Sequence, residues 1–110
     1  MNIYDHAHEL ARAMKNSEEY QKYKELEKKV NSNEHCKSMM DDFRKRQMEV
    51  QSLQMMGQEV DEKKLKELEE LHKIIMQNSL LSEYIHAEFK LSQLLKDIYK
   101  ILGDVLDMDG

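Results

Sequence analysis

The sequence predicts an all-α fold, an antiparallel bundle of about five helices with one long helical hairpin. Proline is absent, and charged residues make up 35% of the chain against 6% aromatic residues, a composition typical of helices. Apolar residues recur at alternating intervals of four and three along two long segments. We expect one helical domain over residues 1–110. A chain this short buries a modest fraction of its surface, so self-association is also expected.

The first two helices are predicted from helical spacing and from cap residues. The first covers residues 3–15 and carries its apolar residues on one face: Ile3, Ala7, Leu10, Ala11 and Met14. It stops at Asn16-Ser17, where a side-chain oxygen can cap the next helix. The second is short and ends at the cap-rich residues 31–33. Its residues at helical spacing are Tyr20, Tyr23, Leu26 or Glu27, and Val30.

The third and fourth helices are predicted to form the hairpin. From Glu34 the third helix has a row of four apolar residues and two glutamines that keeps the four-and-three spacing: Cys36, Met40, Phe43, Gln47, Val50 and Gln54. Gly57 is a natural C-terminal cap for this helix. Asp61 can cap the fourth helix, whose inward residues are predicted to be Leu65, Leu68, His72 and Ile75. Residues 77–79 then provide a break or a kink before the last helix, and residues 106–110 lose the pattern and are expected to fray.

The last helix carries an apolar stripe that is too wide for one neighbouring helix. Its main row is Leu80, Tyr84, Ala87, Leu91, Leu94, Ile98, Ile101 and Val105, and a second row runs beside it. Since the chain supplies few other helices of this length, we expect a second copy to cover part of the stripe. The predicted dimer and core positions are Met40, Phe43, Gln47, Val50, Gln54, Leu80, Tyr84, Leu91, Leu94, Ile98 and Ile101.

Charge and hydropathy restrict the partners. The net charge of −5 gives no general attraction to nucleic acid or to anionic lipid. No apolar run is long enough to span a membrane, and the polar N-terminus does not resemble a secretory signal. A single cysteine cannot form an internal disulfide, which suits a reducing compartment. We therefore expect a cytoplasmic protein that binds itself and another protein, with no direct nucleic-acid or membrane partner.

Two Glu-x-x-His units offer an alternative function, a carboxylate and histidine metal site inside a helical bundle. They are Glu69 with His72, and Glu83 with His86. At about 100° per residue, His72 lies within the apolar stripe of the fourth helix, whereas His86 lies about 120° from that of the fifth. We therefore expect His72 at the edge of the core and His86 in water, which leaves an incomplete ligand set. No metal or other cofactor is predicted.

Other candidate chemistry also has a simpler explanation. Cys36 follows His35 directly, and adjacent helical residues do not face each other, so we expect a buried structural thiol rather than a nucleophile. The sequence contains no phosphate-binding loop, nucleophile elbow or paired-cysteine zinc motif. Acidic neighbours flank the basic cluster at 44–46, which favours solvated faces with i to i+4 ion pairs over an RNA-binding patch. The sequence predicts no enzyme and no catalytic residue.

Methionine and glutamine in the third helix indicate an interface. Met48 and Met55 lie on a second face, so this helix is expected to be covered on two sides, by a second copy or by a partner protein. Met39, Met40 and Met76 are expected in the core. Gln47 and Gln54, seven residues apart, would cost stability inside an interface but would fix its register.

Several short motifs, taken in order, resemble the YheA branch of the YlbF/YmcA family. They are Asn2-Ile3-Tyr4-Asp5-x-Ala7-x-x-Leu10, Ser17-Glu18-Glu19, Val30-Asn31, Glu34-x-x-Lys37-x-Met39-x-x-x-Phe43-Arg44-x-x-Gln47 and Gln54-Met55-x-Gly57-x-Glu59. The resemblance implies a small cytoplasmic protein of Gram-positive type bacteria that forms an intertwined dimer. It also implies a non-enzymatic regulatory role, because relatives assemble with other proteins to influence competence, biofilm formation, sporulation and RNA processing.

Overall fold

The computed structural model describes residues 1–106 and contains five α-helices with no strand in that range. The helices are α1 (Ile3–Lys15), α2 (Glu18–Asn31), α3 (Glu34–Met55), α4 (Glu62–Gln77) and α5 (Ser79–Leu106). The predicted all-α class, the five helices and the α3–α4 hairpin are confirmed. The fraying expected beyond residue 106 lies outside the described residues.

Side-chain caps explain where the helices begin. Asn2 forms a reciprocal capping box with Asp5, in which each side chain accepts a backbone N–H of the other residue. The Asn33 side chain accepts the Cys36 N–H at the start of α3, and Asp61 accepts the Lys63 N–H at the start of α4. Each of these bonds satisfies a backbone donor that has no partner inside its helix.

The turn between α3 and α4 depends on Gly57. This residue has φ of 72°, in the left-handed region where a side chain is strained, and the Gln58 N–H donates to the Leu53 carbonyl at 3.0 Å. That backbone bond reaches back five residues and closes the end of α3, as in a glycine-capped helix terminus. The predicted cap at Gly57 is confirmed.

The chain divides into two compact units. Unit 1 comprises residues 1–27 together with the described residues from Tyr84 onward, and unit 2 comprises residues 28–83. Helices α2 and α5 contribute residues to both units. The single domain expected over residues 1–110 stays a prediction.

Unit 2 is built on the α3–α4 hairpin. Its buried apolar side chains are Val30, Cys36, Met40, Phe43, Val50, Ile75 and Leu81, of which Ile75 and Leu81 have no exposed surface. Phe43 and His72 connect the two helices through an edge-to-face ring contact with centroids 5.7 Å apart. Apolar burial at helical spacing therefore holds this unit together, as the third-helix pattern predicts.

Unit 1 has a small buried core formed by Leu26 of α2 with Tyr84 and Ala87 of α5. Tyr23 of α2 stacks on Tyr84, with ring centroids 5.5 Å apart and planes 23° from parallel. Helix α1 contributes no buried residue, although its apolar and polar residues are well separated around the helix. Much of the apolar surface of this unit therefore stays in contact with solvent.

Three expectations for α4 were wrong. Leu65 is 40% exposed and Met76 is 41% exposed, although both were expected inside. His72 is also exposed, and only its ring contact with Phe43 ties it to the core. The half-buried and buried residues of α4 are Leu68, Leu71 and Ile75. Because α4 packs chiefly on α3, only about one α4 residue in each helical turn is covered.

Candidate interaction surfaces

The first candidate surface is the α5 apolar face. It consists of Leu91, Leu94, Leu95, Ile98, Tyr99, Ile101, Leu102, Val105 and Leu106. The first four of these residues are half-buried, and the last five are exposed, with Val105 at 84%. Nine apolar side chains on one side of a helix form a contiguous patch, and a patch of this kind marks an interaction site in a soluble protein.

The second candidate surface is the α3 strip, which consists of Gln47, Met48, Gln51, Gln54 and Met55. All five side chains are exposed, with Met55 at 88%. At about 100° per residue they lie within an arc of about 120° on the C-terminal half of α3. Methionine is enriched and charge is depleted in the cores of protein interfaces, and the strip has both properties.

The predicted dimer and core positions separate into three groups in the structure. The buried group is Met40, Phe43, Val50 and Tyr84, and the half-buried group is Leu80, Leu91, Leu94 and Ile98. The exposed group is Gln47, Gln54 and Ile101. The buried positions belong to the core of the chain itself. The contacts predicted with a second copy are not tested by a single chain and stay a prediction.

Ion pairs link the outer surfaces of α3 and α4. The Arg46 guanidinium donates to Asp42 at 3.1 Å, four residues earlier, and to Glu67 of α4 at 3.0 Å. Lys64 of α4 donates to Glu49 of α3. This pairing holds the pKa of the Glu49 carboxyl below its ordinary value and raises the pKa of Lys64. The expected i to i+4 pairing is confirmed at Arg46. The pairs between the helices were not predicted, because the sequence alone does not fix how α3 and α4 align.

A cleft of about 260 Å³ lies beside these ion pairs in unit 2. Its lining residues are Asp42, Arg46, Glu67, Glu70, Leu71 and Ile74. Small-molecule sites usually enclose roughly 300–1,000 Å³ and have mostly apolar walls. Four of the six lining side chains are charged, and Arg46 already pairs with two of them, so this cleft does not resemble a ligand pocket.

Asn78 connects the start of α5 to the buried thiol. Its side-chain oxygen accepts the Leu81 N–H at 3.0 Å, which caps α5. Its amide donates to the Cys36 sulfur at 3.7 Å. Cys36 is 3% exposed, so the predicted burial of this thiol is confirmed. The predicted break at residues 77–79 is also confirmed, because Asn78 has an extended backbone conformation.

The two tyrosine hydroxyls of unit 1 lie 3.4 Å apart, within hydrogen-bonding distance. Burial raises the pKa of the Tyr23 hydroxyl far above its ordinary value, and the hydrogen bond with Tyr84 raises this pKa further. The Glu27 carboxylate raises this pKa as well, through a hydrogen bond and through its negative charge. The stacked rings and the hydroxyl contact hold α2 against α5 within unit 1.

The histidines do not build a metal site in the described part of the chain. His86 is exposed, as expected from its position on α5, and His72 is exposed as well. Among residues 1–106 no three His, Cys, Asp or Glu side chains are grouped closely enough to hold a metal ion. The Glu69 carboxylate instead lies 3.9 Å from the Lys73 ammonium, in an exposed i to i+4 pair. In the same range, no helix is both long and apolar enough to cross a membrane.

Related proteins support the same fold. A UPF0342 protein of Halothermothrix orenii is 46% identical over 108 residues, covering 98% of this chain and 92% of its own length. A solved protein of unknown function (DUF964) from Bacillus stearothermophilus superimposes with a TM-score of 0.84 at 21% identity, covering 96% of this chain and 92% of its own.

Two further solved structures are similar along almost the whole chain. YheA from Bacillus subtilis has a TM-score of 0.69 and 27% identity, with full coverage of both chains. Bacillus subtilis RicA, solved in complex with RicF, has a TM-score of 0.65 and 17% identity, covering 97% of this chain and 95% of its own. Residues 3–107 match the family described as control of competence regulator ComK, YlbF/YmcA. The chain therefore belongs to the YlbF/YmcA family.

Proposed function

We propose that this protein is a cytoplasmic, non-enzymatic regulatory factor that forms a homodimer and acts by binding another protein. The dimer uses the α5 apolar face together with exposed positions of α3. The regulated process is developmental or lies in RNA processing, and the family's connection to the competence regulator ComK supports a developmental role.

The observation that carries this proposal is the exposed end of α5. The apolar side chains between Ile98 and Leu106 keep the four-and-three spacing of the buried part of the helix, and most of them face solvent. Apolar surface that stays in contact with water costs about 25 cal/mol of free energy per Å². A second copy can remove that cost by covering the face.

The relatives support a function based on protein association. RicA, which shares the fold, was solved as a complex with RicF, another protein. The net charge of −5 and the pairing of Arg46 and Lys64 with carboxylates favour a protein partner over nucleic acid.

Sedimentation equilibrium between 1 and 100 µM tests the homodimer. The expected mass is twice 13.2 kDa across this range. Ile101→Glu places a carboxylate in the middle of the α5 apolar face, where dimerisation would remove it from water. Its dimer dissociation constant is expected to rise by at least about a hundredfold.

The matched control is Lys100→Glu, which introduces the same carboxylate one residue away on the polar side of α5 and should leave the mass unchanged. A wild-type monomer at 100 µM would overturn the homodimer. In the native host, the Ile101→Glu allele should have the same effect as deletion of the gene. RNA sequencing measures this effect on the levels of ComK-dependent transcripts and on the processing of transcripts. If the allele behaves like wild type while the purified variant is monomeric, the regulatory role does not depend on the dimer.

A further inference from the structure

The α3 strip differs from the rest of the surface in its lack of charge. Glu49 is the only charged residue between Gln47 and Gln58, in a chain where 35% of residues are charged. Its carboxylate is paired with Lys64 on the side of α3 that packs against α4. The five exposed strip residues thus form an uncharged surface that α4 does not cover.

The position of α4 leaves this surface open. Phe43, Arg46 and Glu49 of α3 contact α4 side chains. Each residue turns the helix by about 100°, so the centre of the α3 strip lies about 140° around the helix axis from these three residues. No element of unit 2 covers the strip, because all five of its side chains are exposed.

Two-fold symmetry favours uncharged residues at the axis. In a symmetric dimer, a side chain beside the axis meets its own copy, so a charged side chain there meets a like charge. A glutamine amide carries both a donor and an acceptor and can therefore pair with an identical amide. Gln51 lies at the centre of the strip, with Gln47 and Met48 on one side and Gln54 and Met55 on the other.

We propose that the α3 strip packs against the α3 strip of a second copy, antiparallel, with the two-fold axis passing beside Gln51. In this alignment Gln47 faces Met55 of the second copy and Met48 faces its Gln54. Each methionine then covers the aliphatic part of a glutamine side chain, and no charge is removed from water. The pairing rests on the proposed homodimer and adds one contact region to it.

Charge substitution at Gln51 tests this pairing, because the residue is exposed and the variants should fold. Gln51→Glu and Gln51→Lys alone each place like charges beside the axis, so each dissociation constant should rise at least about tenfold. An equimolar mixture places opposite charges there and should recover a dissociation constant within about threefold of wild type. Native mass spectrometry with a ¹⁵N-labelled Gln51→Lys chain identifies the mixed dimer.

Ser52→Glu and Ser52→Lys are the matched controls, since Ser52 is exposed, adjacent in sequence and about 100° around the helix. Their dissociation constants should stay within about twofold of wild type. If wild type is a dimer and the Gln51 variants match these controls, or if mixing does not recover affinity, the strip pairing is wrong while the homodimer stands. If wild type is a monomer, both are wrong.

Discussion

The two ends of α5 have the same sequence pattern and opposite environments. At the N-terminal end, Leu81, Tyr84 and Ala87 are buried. At the C-terminal end, Ile101 and Val105 continue the same spacing and are largely exposed. Between them the apolar residues from Leu91 to Ile98 are half-buried.

Helical periodicity therefore identifies a face that must be covered without identifying what covers it. The N-terminal end is covered by other parts of the same chain, as the stacking of Tyr23 on Tyr84 demonstrates. The C-terminal end extends beyond these contacts. A division of this kind is expected when one stretch of a continuous apolar stripe serves folding and another serves association.

The largest expected effect comes from truncating the covered end. Leu81→Ala removes a side chain with no exposed surface, and it should lower the free energy of unfolding by about 2–5 kcal/mol. Urea denaturation monitored by circular dichroism measures this loss. Because the cavity lies within one chain, the loss should be the same at 1 µM and at 50 µM protein.

A leucine-to-alanine substitution at the exposed C-terminal end of α5 should affect dimerisation more than the stability of the single chain. Leu102→Ala should raise the dimer dissociation constant, measured by sedimentation equilibrium, because it removes apolar surface that the second copy is proposed to cover. An unchanged dissociation constant, together with a loss of unfolding free energy as large as the one at Leu81, would show that a single chain covers both ends. In that case the contrast between the two ends of α5 would not hold.

A smaller loss of unfolding free energy is expected from substitutions at Asn78, which caps the start of α5. Asn78→Ala removes the cap of α5 and the amide hydrogen bond to Cys36, and should cost about 1 kcal/mol of unfolding free energy. Asn78→Ser keeps a capping oxygen, so it should recover most of that loss in the same urea experiment. If the serine variant is as unstable as the alanine variant, the contact with Cys36 matters more than the cap.

Much of the fold could be predicted because its signals are local. The cap residues Asn2, Asn33 and Asp61 and the left-handed Gly57 set the helix ends, and each acts within a few residues of its position. Apolar spacing then located the buried face of α3. The burial of α4 was predicted less well, because Leu65 and Met76 have suitable spacing but lie outside the narrow stripe that α3 covers.

The candidate surfaces could be predicted only as apolar or uncharged faces. The stripe of α5 was found from spacing, but the point along it where burial ends depends on contacts distant in sequence. The same holds for the ion pairs of Arg46 with Glu67 and of Lys64 with Glu49, which require the alignment of two helices. The stacking of Tyr23 on Tyr84, 61 residues apart, carries no local signal in the sequence.

The smallest expected effect tests how the tyrosine pair holds the covered end of α5. Because the pKa of Tyr23 is raised in the folded state, folding favours the neutral hydroxyl. The stability from this group is complete below the ordinary tyrosine pKa of about 10 and is lost as the pH rises above it. Tyr23→Phe has no group to ionise at this position, so its unfolding free energy should fall less between pH 9 and pH 11 than that of wild type.

Urea denaturation at each pH measures the difference between the two proteins, in which the titration of lysines common to both cancels. At pH 8 the variant should lose no more than about 1 kcal/mol, because the hydroxyl contact is long. Parallel stability curves for wild type and variant up to pH 11 would mean that Tyr23 is as accessible to solvent when folded as when unfolded. The contact between α2 and the covered end of α5 would then be looser than the stacked geometry indicates.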